Sequence, residues 1–191
     1  MYCQKYIYVI KFTLSARKRA RIGMEISKHL VDLVTNSIEA LAKHVLIMIV
    51  ADEGGQGVSV EVSDDGVGIK EEEVAKALAG EKAPRGNGLR LLAEAADRVD
   101  HLAGENGGTS ISAHFAAVDL GRVGDALIVF WQEMTAIMTV TLSLHSPKGA
   151  YCFDSRLIAE KYGDPADIRT MVKVREDVNY ATANLFGGNK E

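Results

Sequence analysis

Long apolar runs, cysteine clusters and metal-type histidine spacing are all missing from this sequence of 191 residues. The apolar run at residues 45–51 has the length of a strand, so no transmembrane segment is predicted. The two cysteines, Cys3 and Cys152, lie far apart, which argues against a disulfide framework and against a zinc site. The five histidines are not spaced along the sequence as metal ligands usually are. We therefore predict a cytoplasmic protein without disulfides or zinc.

Acidic residues are absent from the first 23 positions, which carry six lysines and arginines and hence a charge of +6. Because the whole chain carries −4, residues 24–191 carry −10. Such an acidic body argues against nucleic acid as the main partner. Lys5 and Lys11 interrupt the apolar part of the basic segment, unlike in a secretory signal. We predict that residues 1–23 form a poorly ordered extension; contact of residues 17–19 with anionic lipid is the alternative.

The sequence does contain a distinctive stretch at residues 60–70, where a β-branched run leads into Asp64, Asp65, Gly66 and Gly68. Glycine tolerates positive φ and lets the backbone approach a partner closely. Asp-Gly between apolar runs would suit a hairpin, but the helix-forming residues 71–79 follow. This stretch therefore predicts an acidic turn between a strand and a helix. On its own it leaves a plain turn and a ligand pocket equally open.

The flanking segments predict further elements of an α/β domain. Residues 26–42 read as an amphipathic helix capped by Ser27, with Asp32, Asn36 and Glu39 on a common side. Gly86 and Gly88 run into a second helix at residues 89–98, and such a helix start is a natural seat for phosphate. The remaining predicted strands are residues 45–51, 58–63 and 109–116, with turns at 52–57 and 105–108.

Four of these pieces, in order, resemble the boxes of the GHKL ATPase superfamily, which includes DNA gyrase B, the heat-shock chaperone, histidine kinases and MutL. Residues 32–40 (Asp-Leu-Val-Thr-Asn-Ser-Ile-Glu-Ala) resemble the N box, closest to the MutL type. Residues 64–68 match Asp-x-Gly-x-Gly, and residues 86–89 and 107–109 resemble the second and third glycine boxes. The resemblance implies a two-layer α/β sandwich of the Bergerat type at residues 24–120, with bound ATP and Mg²⁺.

The resemblance also implies roles for single residues. Asp64 would accept a hydrogen bond from the adenine amine, supported by Thr109, and would repel the carbonyl of guanine. Gly66 and Gly68 would shape the turn, and Asn36 would be the metal ligand because a neutral oxygen suits a hard cation. The phosphates would meet Gly86, Gly88 and the backbone at Leu89. Lys82 and Arg85 would close on the terminal phosphate as charged donors.

Two departures from the family bear on function. The catalytic position that is glutamate in these ATPases is Asp32 here, and no phosphoacceptor helical hairpin precedes it, so a histidine kinase acting in cis is disfavoured. Residues 121–191 lie outside the resemblance and are predicted to be a C-terminal appendage of helix, β-hairpin and helices. We expect weak ATPase or phosphotransfer activity that regulates a protein partner, or a homodimer. The alternatives are a non-catalytic ATP-dependent switch and a Ser/Thr protein kinase of the anti-sigma type.

Overall fold

A computed structural model of the chain describes residues 25–54, 57–81, 87–103, 107–116 and 119–187. A six-stranded mixed sheet forms its centre, in the order β3-β4-β2-β1-β5-β6. Strands β1 and β5 run parallel, and the other neighbours are antiparallel. The strands are β1 (His44–Ala51), β2 (Val58–Asp64), β3 (Arg98–Ala103), β4 (Thr109–Phe115), β5 (Thr139–Ser146) and β6 (Gly149–Asp154). The predicted mixed sheet packed on helices is confirmed.

Seven α-helices occur within the described residues, and they cover one face of the sheet. They are α1 (Ile26–Glu39), α2 (Glu71–Leu78), α3 (Asn87–Ala95), α4 (Val123–Ile128), α5 (Trp131–Ala136), α6 (Ile158–Lys161) and α7 (Ile168–Phe186), with a short 3₁₀ helix at Ser155–Leu157. No helix within these ranges has both the length and the apolar character needed to cross a membrane. The prediction for residues 1–23 lies outside the described residues.

Side-chain alternation decides which face of each strand is buried, because successive residues point to opposite sides of a sheet. Val58, Val60 and Val62 of β2 are buried under the helices. Asp64 continues this series and stands opposite Thr109 of β4 in the strand register. Because side chains alternate along β2, its last residue, Asp64, places its carboxylate on the helix-covered side of the sheet.

The chain after Gly121 joins the same sheet through the parallel pairing of β5 with β1. In this part of the chain α4 and α5 are followed by the hairpin of β5 and β6 and then by further helices, while the division into domains stays a prediction. Trp131 is half-buried, and its indole nitrogen donates to the carbonyl of Pro165 at 3.1 Å. The last helix is capped by Asp167, which accepts from the amide of Arg169 at 2.9 Å.

Two local predictions at the first helices are wrong. Ser27 is not a cap, because Glu25 occupies that position and Ser27 is buried inside α1. The predicted helix at residues 89–98 ends at Ala95, and the chain turns into β3 at Arg98. Strand β3 was not predicted, since its sequence alternates weakly and only Val99 of its six residues is buried.

The end of α1 has an unusual backbone. Leu41, which lies within the predicted helix at residues 26–42, instead adopts a positive φ of 60° and is 73% exposed. The amide of Leu41 donates to the carbonyl of Ile38, and that of Ala42 donates to Ser37, at 2.9 and 3.1 Å. These two bonds are those of a Schellman motif, in which the left-handed position is normally glycine. Leu41 therefore holds a conformation that its Cβ disfavours.

We expect Leu41→Gly to raise the free energy of unfolding by about 0.5–1 kcal/mol, because relief of strain exceeds the entropy that glycine adds to the unfolded chain. This corresponds to a melting temperature higher by roughly 1–4 °C. Differential scanning calorimetry would measure it. Leu46→Gly is the matched control: this exposed leucine lies in β1 with ordinary strand geometry, so glycine there should destabilise. A melting temperature lowered by Leu41→Gly would contradict the strain argument.

Candidate functional site

An open pocket lies between α1, the end of β2, the start of β4 and the start of α3. Its walls combine apolar side chains from the sheet and helices with a few polar groups. The lining residues are Leu33, Asn36, Ser37, Glu39, Ala40, Val62, Asp64, Gly68, Ile69, Leu89, Thr109 and Ile111. The pocket thus gathers residues that are separated by up to 78 positions in the sequence, from Leu33 to Ile111.

Asp64 is one of the two carboxylates that line this pocket, the other being Glu39 at the end of α1. One oxygen of Asp64, Oδ1, accepts from the amide of Gly66 at 2.9 Å, and Oδ2 accepts from the hydroxyl of Ser37 at 2.9 Å. Each carboxylate oxygen has a further lone pair. The two bonds therefore fix the orientation of the carboxylate while leaving it able to accept from a ligand.

Ser37 was not among the predicted site residues. It is 1% exposed, and besides Asp64 its hydroxyl lies 3.4 Å from the carbonyl of Leu33, one turn earlier in α1. Its adjacency to Asn36 was the available signal, but a serine inside a helix is usually explained by such a bond to its own backbone. The apolar walls Val62, Ile69 and Ile111 were also not singled out, because they read as ordinary core positions.

Asp65, the second carboxylate of the turn, points away from the pocket. Its Oδ2 lies 2.7 Å from Nδ1 of His44, and its Oδ1 accepts from the amides of Lys43 and His44 at 2.7 and 2.8 Å. Burial alone would raise the pKa of Asp65, but these bonds outweigh it and lower the pKa to about 2. Through these hydrogen bonds, Asp65 links the turn to the start of β1.

The lowered pKa of Asp65 predicts an acid-dependent contribution to stability. Because the pKa is lower in the folded chain than in the unfolded one, the ionised carboxylate stabilises the fold above pH ~5, and this stabilisation is lost as the pH falls towards 2. Asp65→Asn should therefore melt below wild type at pH 7, and the difference between the two melting temperatures should begin to shrink below about pH 4 and close near pH 2. Thermal melts between pH 7 and 3 would test this. A difference that stays constant over that range would contradict it.

The glycines of the turn and of the third glycine box lie in contact. The amide of Gly108 donates to the carbonyl of Gly66 at 2.6 Å, and Gly68 has a φ of 78°. A Cβ on Gly66 would stand 2.6 Å from the carbonyl oxygen of Ala40, and one on Gly108 would collide with the carbonyl of Asp64. Side chains at these two positions would therefore push the turn away from α1 and β4.

The side chains of Asn36 and Thr109 line the pocket and form no hydrogen bond with the described residues, so both are available to a ligand. Asp32, one turn before Asn36, lies against the first turn of α3. A Cβ on Gly88 would stand 2.6 Å from Cβ of Asp32 and 3.4 Å from its Oδ2. No hydrogen bond or ion pair within the described residues holds the carboxylate of Asp32. Leu89, beside Gly88, is buried in the pocket wall.

Three predicted phosphate-facing residues, Lys82, Arg85 and Gly86, lie outside the described residues. The histidines of the described ranges do not form a metal site, and no group of three or more His, Cys, Asp or Glu in these ranges could hold a metal. His29 is 3% exposed and stacks on Phe115, and within the same ranges its ring nitrogens have no hydrogen-bond partner. Burial lowers the pKa of His29, against a smaller opposing effect of Asp32, so the neutral imidazole is favoured.

Two comparisons with known proteins found similarities to this chain. Residues 24–89 match the family model described as "Histidine kinase-, DNA gyrase B-, and HSP90-like ATPase". A crystal structure of the N-terminal domain of a DNA repair protein superposes with a TM-score of 0.53 at 18% identity, covering 73% of this chain and 57% of that one. At this identity the likeness shows the fold alone, and the chain spans little more than half of the solved one. No match was found in the comparison with curated proteins.

Proposed function

We propose that this chain, whose residues 24–89 match the model of the histidine kinase-, DNA gyrase B- and HSP90-like ATPases, binds ATP·Mg²⁺ in the pocket around Asp64 and regulates a partner by slow ATP turnover or phosphoryl transfer. The family match supports the binding of ATP in general. The single observation that carries the specific proposal is the oriented carboxylate of Asp64 in a pocket with apolar walls.

The pocket suits an adenine ring in shape and polarity. Val62, Ile69 and Ile111 supply apolar surface for the faces of a planar base, while Asp64 supplies an acceptor at its edge. The exocyclic amine of adenine is a donor and matches that acceptor. Guanine has a carbonyl at the same place, so its oxygen would face a carboxylate, which disfavours GTP. Thr109, opposite Asp64 in the register, is the second polar group at this edge.

The residues present also fit a magnesium ion held together with nucleotide phosphates. Mg²⁺ is commonly bound through one or two protein oxygens, substrate phosphates and waters, without a dedicated cage. The side-chain oxygen of Asn36 is the neutral donor at the pocket, which agrees with the lack of an acidic metal cluster in the described ranges. When bound, the ion would neutralise phosphate charge. The protein's own task is to orient the nucleotide.

Asp32 is the group we assign as general base. Its carboxylate lies beside Gly88 in the first turn of α3, the helix start that would face the phosphates. From there it would orient water or a substrate hydroxyl towards the terminal phosphate. Lys82 and Arg85, if they close on that phosphate, would stabilise the developing charge.

Calorimetric titration with ATP, ADP and GTP, each with and without Mg²⁺, tests the proposal. We expect ATP and ADP to bind, GTP to bind at least about tenfold more weakly, and Mg²⁺ to strengthen the binding of ATP. Equal affinities for ATP and GTP would show that Asp64 does not distinguish adenine from guanine. Absence of ATP binding would contradict the proposal.

Two alternatives share the same pocket. A non-catalytic switch is favoured by the shorter Asp32 in place of glutamate, and it predicts tight ATP binding without phosphate release. A Ser/Thr protein kinase predicts transfer of labelled phosphate to a protein hydroxyl. Phosphate release by the isolated chain supports the ATPase.

A further inference from the structure

The face of the sheet that points away from the helices carries a row of apolar side chains. Side chains alternate along β1, so Leu46, Met48 and Val50 point to the face opposite to that of the buried Val45 and Ile47. Leu46 is 41% exposed, and Met48 and Val50 are half-buried. Strand β1 is an inner strand of the sheet, so this row runs along the middle of the face. We call the face the open face and the three residues the apolar stripe.

The neighbours of the apolar stripe in the strand register are polar. They are Ser59, Glu61 and Ser63 of β2 on one side and Thr141, Ser143 and His145 of β5 on the other. None of these side chains is buried in the described part of the chain. Apolar side chains that line up in the middle of an otherwise polar, uncovered face are typical of a surface on which another segment packs.

The segment before α1 has a sequence that suits this surface. Residues 6–14 (Tyr-Ile-Tyr-Val-Ile-Lys-Phe-Thr-Leu) are rich in β-branched and aromatic residues, which favour an extended chain. Successive side chains of an extended chain point to opposite sides, so the even-numbered positions from Tyr6 to Leu14 form one side that is wholly apolar or aromatic. The other side contains Lys11 and Thr13. The segment thus offers one side to the apolar stripe and one to water.

The point where this segment joins the fold lets it reach the open face. Helix α1 begins at Ile26, whose amide donates to the carbonyl of Asp119 at 3.1 Å, shortly after the end of β4. Residues 15–24 can span roughly 30 Å, whereas packed layers lie only about 10 Å apart, so they can pass round the end of the sheet. Crossing from β4 over β1 to β6 takes four strand steps, about 19 Å, which residues 6–14 can also span.

The charges favour the same contact. Residues 1–23 carry six lysines and arginines and no acidic side chain. Glu61 stands opposite Met48 in the register, and its Oε1 accepts from the hydroxyls of Ser63 and Ser110 at 2.9 and 2.8 Å, without a cation among the described residues. The other carboxylates of the open face within these ranges have basic partners, namely Asp52 with His114, Asp100 with Arg98 and Asp154 with Arg156. The unpaired charge of the face is therefore opposite in sign to that of the segment.

We propose that residues 6–14 fold back over the open face of their own chain, with their apolar side on the apolar stripe. This departs from the poorly ordered extension expected from the sequence alone, because the sequence did not show that β1 leaves apolar side chains uncovered. The proposal does not depend on nucleotide binding, since the pocket around Asp64 lies on the helix-covered side of the sheet.

The two cysteines of the chain provide a direct test. Cys3 precedes the segment, and the exposed Cys152 of β6 stands opposite Ser143 in the register, on the open face. A segment that crosses β1 towards β6 brings Cys3 near Cys152. We expect a short bismaleimide to join the two thiols within one molecule of the reduced full chain. Gel mobility and the masses of the tryptic peptides would measure the yield.

Met48→Lys should prevent the contact, because it places a cation in the middle of the apolar stripe. We expect the yield of the internal cross-link to fall at least about fivefold. Met48→Gln, which introduces a polar group of similar size without a charge, should lower the yield less. Gln132→Lys is the matched control: it adds the same charge at an exposed position of α5, on the helix-covered side, and should keep the wild-type yield.

An internal cross-link that forms equally in wild type and in Met48→Lys overturns the proposal, because a segment that does not pack on the stripe gives that result. A cross-link that forms only between molecules also overturns it, since the segment would then lie on a second copy. So does a wild-type chain that gives no cross-link and instead binds vesicles containing phosphatidylserine. None of these results bears on ATP binding, so the two proposals can fail separately.

Discussion

Asp64→Asn is expected to weaken ATP binding by at least about tenfold, because a hydrogen bond to a charged acceptor contributes roughly 1.5–3 kcal/mol. The amide that replaces the carboxylate keeps one acceptor oxygen. The amide N–H of Gly66, 2.9 Å from Oδ1, would claim that oxygen, which turns the NH₂ group towards Ser37 and the adenine edge. A donor would then face the donor of adenine. Isothermal titration with ATP measures the effect.

Asp65→Asn is the matched control for this titration. It makes the same chemical change one residue later, at a carboxylate that binds His44 and the backbone of β1 instead of lining the pocket. We expect ATP affinity within about twofold of wild type for Asp65→Asn. If Asp64→Asn also keeps its affinity, the adenine site lies elsewhere. If both variants lose affinity equally, the turn acts as a structural unit and Asp64 has no special role.

Asp32→Ala is expected to lower ATP turnover by roughly 10²–10⁴-fold, the usual range for losing a positioned acid–base group. ATP affinity should stay within a few-fold of wild type, since the carboxylate does not have to hold the nucleotide. The wild-type rate itself should be slow, because aspartate is one methylene shorter than the glutamate of the related ATPases. A phosphate-release assay at saturating ATP, paired with titration, separates the two effects.

Asp32→Asn is the companion variant, since it keeps the volume that packs against Gly88. If Asp32 is a base, both variants should lose turnover alike. If Asp32 only spaces α1 from α3, Asp32→Asn should turn over like wild type while Asp32→Ala does not. Measurable wild-type turnover that survives in both variants would show that Asp32 is only part of a solvated helix face.

Much of the sheet was predictable because buried strands alternate. Strand β1 was predicted within one residue at its start, and β2 within one residue at its end. Helices α1 and α2 followed from apolar spacing and helix formers, although α1 ends three residues earlier than predicted. The sequence pattern did not predict strand β3, because this strand lies at the edge of the sheet, where few side chains are buried and the alternation of apolar and polar residues is weak.

The end of α1 shows why boundaries are harder to predict. Leu41 continues the apolar period, and no local residue signals a stop. The helix ends there because Ala40 packs against Gly66 of the turn, and the amide of Val67 donates to the carbonyl of Ala40. That contact joins segments that are distant in sequence, so the pattern around Leu41 contains no trace of it.

The sequence by itself determined that Asp64, Gly66 and Gly68 form a turn after a strand, since backbone freedom and side-chain alternation are local properties. It also determined that Asn36 and Asp32 lie a turn apart on one helix. Only the tertiary structure decided that Asp64 faces the pocket while Asp65 binds His44, and that Ser37 orients Asp64. These outcomes depend on how α1 packs against the sheet, and hydrogen bonds between distant segments form only once that packing exists.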